Sequence, residues 1–211
     1  MQFKHTDAQI TRDSEIINAD KITAGQIITV EAKDENKDGT YEASIIKIDE
    51  QLLGPIEAID LNLNTIQIFG QTVLVTDATS FSQKSLSTLV VNNYLAVFGF
   101  RREDGTLEAT LIELVKEEFS SSLDTVKVGG EVTSVNVEAG TITVDGVEVN
   151  VGPLEIKNID VGDILSLDNL ELNTSVPDGL TADTTEPSNL VEDQIYEIDS
   201  EIVLEGFARR I

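Results

Sequence analysis

A segment near the middle of this chain recurs 76 residues later without a gap. An internal repeat limits a fold more than any other sequence feature. Gly54-Pro55-Ile56-Glu57-Ala58-Ile59 corresponds to Gly130-Glu131-Val132-Thr133-Ser134-Val135. In the same register Thr65-Ile66-Gln67-Ile68-Phe69-Gly70 corresponds to Thr141-Ile142-Thr143-Val144-Asp145-Gly146, and Val73 and Val75 correspond to Val149 and Val151. Apolar and polar residues alternate in both copies, the period of a half-buried strand, and glycines punctuate the bends.

A further copy precedes these, beginning partway through. Asp38-Gly39-Thr40-Tyr41-Glu42-Ala43-Ser44 recurs as Asp104-Gly105-Thr106-Leu107-Glu108-Ala109-Thr110. Gly25-Gln26-Ile27-Ile28-Thr29-Val30 parallels Asn92-Asn93-Tyr94-Leu95-Ala96-Val97 and Gly162-Asp163-Ile164-Leu165-Ser166-Leu167. The Asp-Gly pairs mark hairpin turns. In the complete unit, strands are predicted at 55–60, 65–69, 72–75, 94–100 and 106–114, with an irregular crossing at 79–89. Five or six short strands in about sixty residues predict an all-β chain of tandem small OB-like, Greek-key β-barrels. An open two-sheet sandwich is the alternative. The expected divisions are an incomplete first repeat at 1–50, a complete second at 51–118, a divergent third at 125–198 with a polar insertion at 173–193, and a C-terminal strand at 200–211.

Composition narrows the function. Ile, Val and Leu dominate the apolar residues, a bias that suits strands. Thirty-nine acidic against 14 basic residues give a formal charge of −25. That charge repels phosphate backbones and anionic headgroups, so neither nucleic acid nor membrane insertion is expected, and an OB-like nucleic-acid binder would also need aromatic platforms. With no cysteine the chain has neither disulfides nor thiolate chemistry. No run approaches the roughly 20 apolar residues of a membrane helix, and with no signal peptide before Gln2, any export signal is expected to have been removed or to lie outside this sequence.

The repeat resembles an uncharacterised bacterial family, a domain of unknown function found in tandem in exported proteins and lipoproteins. Its unit runs G-x-[IV]-x-x-[IV], T-[IV]-x-[IV]-x-G, G-x-x-[IV]-x-[VL] and D-G-T-[LY]-x-A-x-x-I. The middle copy carries nearly all of it, with Asn92 where the third segment usually has Gly. The third copy departs after Asn173, where Asp178-Gly179-Leu180-Thr181-Ala182 echoes the ending. The resemblance implies small barrels and export, and no activity.

The two ends of the chain are complementary. Aligning Ile10 with Val75 and Ile16 with Phe81 sets Phe3 opposite Ile68 and His5 opposite Gly70, and leaves the first copy without its opening strand. At the far end, Gly206 matches Gly54 and Gly130, Ala208 replaces Ile56, and Ile211 matches Ile59. Ile202, Leu204, Gly206, Phe207, Ala208 and Ile211 are therefore the expected assembly strand. Unpaired strand edges template strand addition, so the tail of one molecule is expected to complete the first barrel of the next. The alternatives are a tail that folds back on its own barrel and a chain that is part of a longer array.

One motif suggests a ligand. Asp34, Asn36 and Asp38 at alternate positions, with Thr40 and Glu42 beyond Gly39, resemble a calcium loop set in a β-hairpin. Ile45 stands where an EF-hand has its last Glu. A solvated acidic hairpin is the competing reading, because the middle copy makes the same turn after Arg101-Arg102-Glu103. Catalysis finds no constellation: His5 is the sole histidine, and the serines of 80–87 and 120–122 lack a partner base. The chain is thus expected to be a non-enzymatic, secreted structural or assembly protein, at the cell surface or beyond it, whose partner is itself in a filament. The alternative is a calcium-dependent (Ca2+) adhesion module for glycans or partner proteins.

Overall fold

The alternating segments do form strands. The computed structural model describes residues 2–4, 8–12, 15–35, 40–151, 156, 159–173, 179–182, 190–192 and 202–207. Strands β1 (Gln2–Lys4), β2 (Gln9–Arg12), β3 (Glu15–Ile16), β4 (Ile27–Glu35) and β5 (Thr40–Ile48) come first. The middle copy contributes β6 (Leu52–Pro55), β7 (Ala58–Asp60), β8 (Thr65–Ile68), β9 (Gln71–Leu74), β10 (Ser80–Phe81), β11 (Tyr94–Arg101) and β12 (Leu107–Lys116). Then follow β13 (Val126–Asn136), β14 (Thr141–Val144), β15 (Val147–Asn150), β16 (Ile164–Asn173), β17 (Gly179–Ala182), β18 (Leu190–Glu192) and β19 (Ile202–Phe207). The chain is all-β, and its strands divide between two units: residues 1–49 with 194–211, and residues 50–193.

In the larger unit the middle copy pairs as a circuit. β7 pairs with β8, β8 with β9, β9 in parallel with β12, β12 with β11, and β11 with β6, which runs on into β7. The third copy repeats the circuit. The end of β13 pairs with β14, β14 with β15, β15 in parallel with β17, β17 with β16, and β16 with the start of β13. Each opening strand is bent, one half serving the fourth strand of its copy and the other half the second.

The stretch expected as a polar insertion contains β17, the closing strand of this circuit. Val149 faces Leu180 as Val73 faces Leu107, and both leucines are buried. The faint echo at 178–182 therefore marks a strand, and β18 adds to β16 beyond it. Both circuits share one core, with Leu52, Ile66, Val97 and Ile112 from one copy and Val128, Ile142, Val149 and Leu167 from the other.

In the smaller unit β4 and β5 form a hairpin, and β1 and β2 both run parallel to β5. This pairing corrects the expected alignment of the first copy. Phe3 faces Tyr41 as Val73 faces Leu107, so Phe3 is the counterpart of Val73 rather than Ile68. Ile10 faces Ile46 as Phe81 faces Ile112, so Ile10 matches Phe81 rather than Val75. Short alternating strands specify register weakly until they are paired. Among the described residues this unit has no counterpart of β8.

Turn chemistry explains the repeated glycines. Phe69-Gly70 and Asp145-Gly146 both have positive φ (52° and 71°, 46° and 88°), the backbone of a two-residue hairpin turn. Gly25, Asn92 and Gly162 share a left-handed φ of 96°, 72° and 100°. The unusual Asn92 thus satisfies the same need, since Asn visits this region more readily than other non-glycine residues. The residue after each supplies a side-chain oxygen to the turn: Gln26 Oε1 accepts from Thr23 N–H, Asn93 Oδ1 from Val90 N–H, and Asp163 Oδ2 from Asp160 N–H, at 2.8–3.0 Å.

Gly54 and Gly130 are required for a different reason. A Cβ on Gly54 would lie 2.4 Å from the Phe69 ring, and one on Gly130 would lie 1.8 Å from Asp145 Oδ2. In each copy the side chain of the hairpin turn folds over the glycine of the opening strand. Gly54→Ala and Gly130→Ala are each expected to destabilise the larger unit by about 1–3 kcal/mol. Urea unfolding would measure this, and Gly54→Ala combined with Phe69→Ala should recover part of the loss.

Candidate assembly site

β19 reaches the smaller unit from the far end of the sequence and lies antiparallel on β4, with Ile202 opposite Ala32 and Phe207 opposite Ile27. Its register is that of the other two opening strands. Gly206 faces Ile28, Gly54 faces Leu95, and Gly130 faces Leu165. Ile28, Leu95 and Leu165 are equivalent positions of the repeat. Of the expected assembly residues, Ile202, Leu204, Gly206 and Phe207 lie in this strand, whereas Ala208 and Ile211 fall outside the described residues. β19 and β4 are here strands of the same chain.

Sequence reasoning missed a second feature, a seam between the two copies of the larger unit. β6 has β11 on one edge and pairs by the other with β13, Leu52 opposite Val128 and Leu53 opposite Lys127. Gly129 N–H donates to Gln51 O at 2.8 Å. Beside the seam, Arg101 Nε lies 2.8 Å from Asp145 Oδ2, and the Arg101 guanidinium also donates to Gln71 Oε1. The Nε contact is off the hydrogen-bond axis, so it is an ion pair more than an aligned bond. Burial lowers the pKa of Arg101 and the charge of Asp145 opposes that shift. The sequence held one signal of this pair, an Asp at the turn position where the middle copy has Phe69.

The connection from β12 to β13 is held down along its length. The Phe119 ring packs on Tyr94 with centroids 5.3 Å apart, and the Tyr94 hydroxyl donates to Thr125 O. Asp124 accepts from Lys116 Nζ and from Ser120 N–H, bonds that hold its carboxyl below the usual carboxylate range, the Lys116 bond contributing most.

The expected calcium residues flank the β4–β5 connection. Asp34 is in β4, Thr40 and Glu42 are in β5, and Glu42 faces Lys33. Asn36 and Asp38 lie outside the described residues, as does His5. Among the described residues no group of three or more acidic, histidine or cysteine side chains is placed to hold a metal. No helix among them is long and apolar enough to cross a membrane.

Residues 54–113, the middle copy, match the family described as Domain of unknown function (DUF5666). No curated protein and no solved structure matches the chain.

Removing one partner of a largely buried ion pair strands the other charge. Asp145→Ala is therefore expected to cost about 2 kcal/mol, below the fully buried case because both side chains keep some solvent contact. Adding Arg101→Met should cost less than the sum of the two single changes, as a double-mutant cycle in urea would show.

Proposed function

We propose that this chain is a non-enzymatic structural protein, acting outside the cytoplasm, whose tandem small barrels assemble with further copies through exchange of β19. The reading is supported by one observation, the identical register of β19, β6 and β13 on their fourth strands. β6 and β13 belong to the same stretch of chain as their acceptors, whereas β19 comes from the other end of the sequence. A strand supplied in this way makes the same backbone bonds to β4 whether it comes from its own chain or a neighbour. Donor and acceptor are different surfaces, so exchange between neighbours is heterologous and extends into a filament unless rotation closes it into a ring. The net charge of −25 opposes such association, so assembly is expected to strengthen with ionic strength.

Deleting residues 202–211 tests the reading. The intact chain should give species larger than a monomer by light scattering and filaments by electron microscopy, and the deletion should abolish both. An unchanged assembly state would sink the proposal. Secretion is a separate part of it, and fractionation of producing cells would test that part directly.

A second reading, a Ca2+-dependent adhesion module for glycans or partner proteins, is favoured by the β4–β5 hairpin. Its pairing brings the flanks of the acidic loop together. Calorimetry should then show calcium uptake that Asp38→Ala abolishes, while an absence of heat from the intact chain would reject it.

A further inference from the structure

The seam between β6 and β13 has a symmetry that bears on the third opening strand. In the repeat Leu52, Val128 and Leu204 are equivalent, 76 residues apart. In the seam Leu52 faces Val128, so each strand meets its own counterpart. Two equivalent antiparallel strands that cross at equivalent residues are related by a local two-fold axis through that pair. The seam is thus an internal copy of an isologous contact, the kind that two identical subunits make.

Backbone phase shows which groups make it. Ile56 N–H donates to Asn93 O at 2.9 Å, toward the fourth-strand side. Alternation then turns the backbone groups of Leu53 to the opposite edge, and Gln51 O accepts there from Gly129 N–H, while Gln51 N–H donates to Val97 O on the fourth-strand side. Pro55, which has no N–H to offer, also sits in this outward phase.

β6 uses both edges, with β11 and β13, and β13 uses both, with β16 and β6. β19 pairs with β4 alone among the described residues and ends its sheet. Because β19 has the register of the other two opening strands, its outward positions are Val203, Glu205 and Phe207.

We infer that the outer edge of β19 pairs with the β19 of a second copy, antiparallel and centred on Leu204, and so repeats between two molecules the seam that joins two modules within one. Val203 of each strand then faces Glu205 of the other. The occupant is a second copy because, among the described residues, the strand seated on such an edge is another opening strand, and β19 is the one left over. The inference goes beyond filament formation and holds whether β19 reaches β4 from its own chain or from a neighbour. The contact is isologous and closes at two. Its short ladder works against a high net charge, so the dimer is weak at low salt and strengthens as salt screens the repulsion.

The absence of cysteine makes the test clean. In the full-length chain Leu204→Cys places two thiols on facing residues, within disulfide reach. Ile202→Cys places them about 13 Å apart along the two strands. Mild oxidation should yield a covalent dimer from the first variant and at least tenfold less from the second. Equal cross-linking of the two, or none at Leu204→Cys, overturns the inference.

Glu205→Pro removes an outward N–H and leaves the donors facing β4. Sedimentation in high salt should show the dissociation constant raised at least tenfold, with hydrogen-exchange protection of 27–32 retained. Dimerisation equal to the parent would overturn the proposal. Should Glu205→Pro lose that protection, the cysteine pair decides alone. Filaments that persist in Glu205→Pro would leave strand exchange standing without the lateral contact, and cross-linked dimers without filaments would leave the contact standing alone.

Discussion

The pairing of each opening strand with the fourth strand of its copy is the constraint on which the rest of the structure rests. It closes the circuit of strands in both copies of the larger unit, and it seats β19 in the smaller one. A glycine occupies the same position of this pairing in all three strands. In two copies the absence of a Cβ admits the turn side chain fifteen residues later, Phe69 over Gly54 and Asp145 over Gly130. A larger residue there would push the second hairpin off the strand it covers. Backbone hydrogen bonds and a steric vacancy therefore act on the same few residues.

The same vacancy is used differently in the two copies. Phe69 adds apolar surface to its own module. Asp145 instead reaches Arg101 of the neighbouring module and ties the two together beside the β6–β13 ladder. One position of the repeat thus serves packing within a module in one place and cohesion between modules in the other. The tether of Phe119 on Tyr94 and of Asp124 on Lys116 removes slack from the connection, so the seam need not pay for ordering a loose linker.

Much of the fold was legible because the repeat samples each strand more than once. The equivalence of Glu42–Ser44 with Glu108–Thr110 agrees with the paired registers, Ala43 opposite Ala32 as Ala109 is opposite Gly99, whereas Tyr41 and Leu107 pair one residue apart. The weak echo at Leu180 proved to be a closing strand, although its surroundings read as polar insertion. The first copy was misaligned at Ile10 and Phe3, because alternation in a strand of three or four residues fits several registers equally well. Of the residues expected to bind calcium, Asp34 lies in β4 and Thr40 and Glu42 in β5, while Asn36 and Asp38 lie outside the described residues. The seam left almost no trace in the sequence, since Leu52 and Val128 lie ahead of the repeated Gly54 and Gly130 segments and are apolar like their neighbours in the core.

By itself the sequence determined the module. Alternation set the strands, the left-handed demands of the turns set Gly25, Asn92, Gly146 and Gly162, and the 76-residue offset identified a third opening strand at Gly206. These are local properties, dictated by the backbone and by side-chain period. Only the tertiary structure decided which edges meet: that β19 returns to β4, that β6 and β13 cross at equivalent residues, and that Arg101 finds Asp145. The physical reason is that a strand edge presents the same N–H and C=O groups along its whole length. Choice among edges depends on what three-dimensional packing brings alongside, which no local pattern of residues encodes.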